Sequence, residues 1–69
     1  MTQFFLVYQK EKDQYHISTM GLGYRYQRIY RKPEMTDEEF KQEAIRQFDA
    51  FVAKEQIVDG EIIKTGYVF

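Results

Sequence analysis

Only one stretch of the chain, residues 36–56, carries a helical period; on either side the apolar residues alternate or run together as they do in strands. Its start is marked by Thr36-Asp37-Glu38-Glu39, a capping box: the Thr36 hydroxyl can accept the Glu39 N–H while the Glu39 carboxylate accepts the Thr36 N–H. Met35 before the cap and Phe40 after it form a hydrophobic staple, and three carboxylates stand at the positive end of the helix dipole. The helix is expected over 37–55. Phe40, Ala44, Ile45, Phe48, Phe51 and Val52 make its apolar stripe, and Glu43, Arg46, Asp49 and Lys54 lie outside it. Such a stripe is the face a helix turns toward its own core.

The remaining chain reads as β structure. Residues 4–10 are aromatic and β-branched, with Phe4, Leu6 and Tyr8 on one phase and Phe5 and Val7 on the other. A polar break at 11–14 has hairpin length. Residues 15–20 alternate, with Tyr15, Ile17 and Thr19 against His16, Ser18 and Met20. Gly21-Leu22-Gly23 is a turn signal, and 24–32 is a third strand ended by Pro33. After the helix, Asp59-Gly60 has the chemistry of a hairpin turn between Ile57-Val58 and a last strand, 61–69, or of a simple loop. The expected fold is α+β over a single domain, 1–69. A three-stranded antiparallel meander is followed by one amphipathic helix packed on one sheet face, then a C-terminal strand that joins the sheet (β-β-β-α-β). Strands 1 and 4 are apolar on both phases, which places them centrally; strand 3 reads as an edge.

That architecture contains an imbalance. One helix covers one face of a sheet. Phe4, Leu6, Tyr8, Ile63, Tyr67 and Phe69 lie on one phase, and Phe5, Val7, Ile62 and Val68 on the other. A second apolar face left open on a small protein marks a contact surface, unless loops and termini curl over it. The chain has 69 residues and no cysteine. Its own core therefore supplies only about 3–5 kcal/mol, with no disulfide to add to it, and a homodimer through the open face would contribute the rest.

Enzymatic constellations are sparse. His16 and Ser18 are the only residues of their kinds and share a strand face two positions apart, with no third, orienting acid indicated. Asp37, Glu38 and Glu39 have no His or Cys companions and read as capping rather than a metal site. Gly21-Leu22-Gly23 leads into a strand, whereas a phosphate loop leads into a helix N-terminus. The chain is read as no enzyme, with no cofactor, no metal and no small-molecule substrate. Its start has an apolar run of five residues, too short for a signal or membrane segment, so a soluble, cytoplasmic protein without membrane contact is expected.

The suggestive stretch is Tyr24-Arg25-Tyr26-Gln27-Arg28-Ile29-Tyr30-Arg31-Lys32. Tyr24, Tyr26, Arg28, Tyr30 and Lys32 share one face, and Arg25, Gln27, Ile29 and Arg31 the other. Residues 1–33 carry six cations and two anions, residues 34–69 four cations and nine anions, so the net charge of −1 conceals a basic half and an acidic half. Tyr and Arg dominate protein–protein hot spots, and interleaved on a strand they also stack bases and hold phosphates. The cations alone also protect an edge strand. Tyr24, Arg25, Tyr26, Arg28, Tyr30, Arg31 and Lys32 are the candidate partner-binding residues.

From Tyr15 to Ala44 the chain has Tyr-x-Ile, a Gly turn, a basic strand and a Thr-x-x-Glu helix start. In that order it resembles, at the level of architecture, the small DNA-binding domain that precedes many phage integrase catalytic domains. It departs from that pattern in its acidic helix and its additional last strand. The expected function is a small freestanding protein-interaction module, an adaptor or inhibitor of the kind phages and mobile elements encode. The alternative is a nucleic-acid-binding module using strand 24–32.

Overall fold

In a computed structural model, which describes residues 2–20, 26–60 and 62–69, the order of elements is β1 (Thr2–Gln9), a 3-10 turn (Lys10–Lys12), β2 (Gln14–Met20), β3 (Tyr26–Tyr30), α1 (Asp37–Asp59) and β4 (Ile62–Val68). The strands form one sheet in the order β3-β2-β1-β4. β1–β2 and β2–β3 are antiparallel; β4 lies parallel to β1. β3 and β4 thus run in one direction, and the helix carries the chain back between them, as a parallel connection requires.

The hairpin turn is closed at Asp13, which adopts left-handed backbone angles (φ 49°, ψ 53°) and donates its N–H to Lys10. Aspartate is among the few residues that tolerate this region. The capping box forms as expected: Glu39 N donates to Thr36 Oγ1 at 3.1 Å, and Thr36 N donates to Glu39 Oε1 at 2.9 Å. A turn from Lys32 through Pro33 to Met35 delivers the chain to that cap, with Met35 packed against the core.

Phe40, Ala44, Phe48 and Val52 are buried at four-residue spacing, with Ile45 and Phe51 packed beside them. They meet Phe4, Leu6, Tyr15, Ile17 and Ile29, one phase of three strands. The contacts are largely aromatic. Phe51 meets Phe4 edge-on at 5.1 Å, Phe40 meets Tyr15 at 4.8 Å, and Phe48 meets Tyr67 at 5.9 Å between ring centroids.

Three expectations are corrected. Ile57-Val58-Asp59-Gly60 is no hairpin: the helix runs to Asp59, and Gly60 (φ 86°) ends it by donating its N–H to Gln56. A positive φ after a helix is the glycine C-cap signal, which a following β pattern makes look like a hairpin. β4 is an edge strand, not a central one. The β1–β2 hairpin occupies one side of β1, so the returning chain can join only at an open edge. The phase within β4 also changes. Phe4 pairs with Lys64 but Phe5 with Gly66, which leaves Thr65 as an extra residue at Gly66 (φ 135°). Ile63 therefore registers with Gln3 while Tyr67 registers with Leu6, and the two do not share a phase.

Replacing Thr36 by Ala removes the cap and is expected to cost about 1 kcal/mol in urea-unfolding free energy. Phe48→Ala should cost about 3–5 kcal/mol, comparable to the whole stability of a chain this small, and leave it largely unfolded by far-ultraviolet circular dichroism.

Candidate interaction surface

α1 packs against β1 and β4 on one side of the sheet, and no other described element lies on the opposite side. The register fixes what that open side presents. One row across it is Val68, Val7, His16 and Arg28; the next carries Gly66, Phe5 and Ser18; a third carries Gln9, Gln14 and Tyr30. The β4–β1 half is apolar, with Val68 53% exposed and Phe5 and Val7 half-buried. The β3 half is cationic and aromatic, with Arg28 exposed and Tyr30 64% exposed. Between them Gln14 and His16 are buried, and Gln14 Nε2 donates to Gln9 Oε1 at 2.7 Å.

Burial holds the His16 imidazole below its ordinary pKa, and the Arg28 guanidinium adds to the effect. His16 is therefore neutral in the folded protein at neutral pH, and the face stays uncharged at its middle.

The candidate partner-binding residues separate. Arg28 and Tyr30 stand exposed on the open side, and Lys32 is exposed just beyond β3. The backbone of Tyr26 registers with Ser18. Tyr24 and Arg25 lie outside the described residues. Arg31 belongs to the other side. Its Nε donates to Asp13 Oδ2 at 2.6 Å, Nη2 to Asp13 Oδ1 at 2.9 Å and to Asp37 Oδ1 at 2.7 Å, and Nη1 to the Met35 carbonyl at 3.0 Å. The guanidinium also lies 4.8 Å from the Phe40 ring centroid. Tyr8 adds a hydroxyl hydrogen bond to Asp13 at 2.9 Å. Arg31 thus ties the hairpin turn, the end of β3 and the start of α1 together, and its hydrogen bonds hold the Asp13 carboxyl below the usual range, helped by Tyr8. Alternation puts Arg31 on the face opposite Tyr30. That signal was present in the chain, but charge pairing between residues 18 apart was not.

A groove of about 280 Å³ lies between β3 and the outer half of α1, lined by Gln27, Arg46, Gln47, Ala50, Phe51, Lys54 and Glu55. These residues come together only when α1 crosses the sheet, so no spacing in the chain announces them. Among the described residues no three His, Cys, Asp or Glu side chains gather as a metal site would need, and no helix is long and apolar enough to cross a membrane.

Comparison of the chain with protein-family models, with curated proteins and with solved structures finds no match.

A histidine kept neutral by folding makes stability depend on pH. Its contribution is complete above the ordinary value of about 6.5 and is lost as pH falls below it, because the unfolded chain then binds the proton more readily. Unfolding midpoints measured at pH 7.5 and 5.5 should differ, and His16→Gln should reduce the difference. For Asp13 the loss comes lower, as pH falls below about 3.9 and through the depressed folded value. Arg31→Gln should lower the midpoint at neutral pH and weaken that acid step.

Proposed function

We propose that the chain is a protein-binding module, an adaptor or inhibitor, whose contact surface is the open face of the sheet. The observation that carries this reading is the one-sided cover: α1 seals the Phe4–Leu6–Ile17 face, while the opposite face keeps Val68, Tyr30 and Arg28 exposed beside half-buried Phe5 and Val7. Apolar side chains on one half of a face with Tyr and Arg on the other are of the residue types that dominate protein hot spots. Arg28 and Tyr30 sit on a strand rather than on a loop, so they are pre-organised and lose little freedom on binding.

Protein is favoured over nucleic acid by the use of Arg31. Its charge is already paired with Asp13 and Asp37 on the helix side, which removes it from the row of cations that the sequence of β3 and its exit would offer a phosphate track. A single-stranded nucleic-acid platform needs cations along the whole track of the phosphates.

A photo-crosslinking residue placed at Tyr30 or Arg28 should yield protein adducts in cells that express the chain. The same residue at Gln42 or Ala53, exposed on α1, should not. Tyr30→Ala, with its exposed ring, should weaken adduct formation from position 28 about tenfold, the effect of losing a hot-spot side chain, with little change in the unfolding midpoint. Adducts to nucleic acid, or equal labelling from the helix, would overturn the proposal.

A further inference from the structure

The two edges of the sheet are unlike. At the β3 edge Arg28 is exposed, and the chain leaves through Arg31, Lys32 and Pro33; charge and proline are the features by which proteins block strand addition. β4, the other edge, runs seven residues with one charge, Lys64, and no proline. The aromatic seam under α1 ends there. Tyr67 stacks on Phe69 with centroids 5.4 Å apart and an interplanar angle of 9°, yet the two residues remain 42% and 55% exposed. On the opposite side of the strand, a Cβ built on Gly66 would find no atom within 4 Å.

We propose that β4 pairs antiparallel with β4 of a second copy of this chain, about a two-fold axis at Tyr67, joining the two four-stranded sheets into one. The fit is reciprocal. Val68 and Gly66 lie on the same side of the strand, registering with Val7 and Phe5. About Tyr67, Val68 of each copy falls opposite Gly66 of the other and fills the open space there, while the Tyr67 and Phe69 rings continue the seam across the axis. An isologous interface needs this self-complementarity, which a foreign strand would have to reproduce. Residues 65–69 carry no charged side chain, so no like charges oppose one another. The axis stands perpendicular to the sheet, which puts both helices on one side and both open faces on the other. The pairing uses the β4 edge and shares Val68 and Gly66 with the open face, whose Arg28 and Tyr30 lie on the other edge strand.

The chain has no cysteine, so a single introduced one can cross-link only between copies. Residues directly opposed across antiparallel strands have Cβ atoms about 4.5–5.5 Å apart, near disulfide reach. The native chain should sediment at twice its 8.4 kDa mass. Tyr67→Cys should oxidise to a disulfide-linked dimer about tenfold faster than Tyr30→Cys on the β3 edge. Val68→Lys, at a site already exposed, should restore the 8.4 kDa species while the helical circular dichroism is retained. A native chain that stays at 8.4 kDa up to about 1 mM overturns the proposal. So does a dimer that cross-links as fast through position 30, or that survives Val68→Lys. Position-30 labelling of other proteins can succeed or fail independently of each of these results.

Discussion

The structure depends on aromatic packing between a single helix and one phase of a four-stranded sheet. Phe40, Phe48 and Phe51 from α1 meet Tyr15, Tyr67 and Phe4 from three different strands. In a chain of 69 residues, where little surface can be buried per residue, large rings give the most apolar contact for each ordered side chain. Everything else is arranged so that this seam can close on one side. Among the described residues no further element is left for the other.

Arg31 shows how the closure is secured. One guanidinium engages Asp13 at the hairpin, Asp37 at the helix start and the Met35 carbonyl, with its flat face toward Phe40. The capping box next to it satisfies donors at the start of α1. Together they set where the helix enters relative to the sheet. The basic strand, whose candidate contacts lie on both of its faces in the sequence, is divided by the fold: Arg28 and Tyr30 are exposed on the open side, and Arg31 is held on the side of the helix.

The open face is therefore defined by subtraction. Its apolar half comes from β1 and β4, its cationic and aromatic half from β3, and its polar middle from β2. Gln14 and His16 in that middle are buried, so the face is polar and closed to solvent at its middle. Val68, on the open edge strand, is 53% exposed.

Local patterns in the chain determined the elements. Thr36 to Glu39 dictated the helix start, four-residue spacing from Phe40 to Val52 dictated its buried stripe, and alternation in 15–20 and 26–30 dictated which residues of β2 and β3 share a face. These are properties of neighbours within one or two turns or pleats, so they can be read in one dimension. The tertiary structure alone decided that β4 lies at an edge parallel to β1, that the phase of β4 slips by one residue at Gly66, that the helix continues through Val58, and that Arg31 pairs with a carboxylate across the hairpin. Each of those depends on which edges and charges are still unoccupied when the chain returns, and that is set by the packing of distant segments rather than by any residue's immediate neighbours.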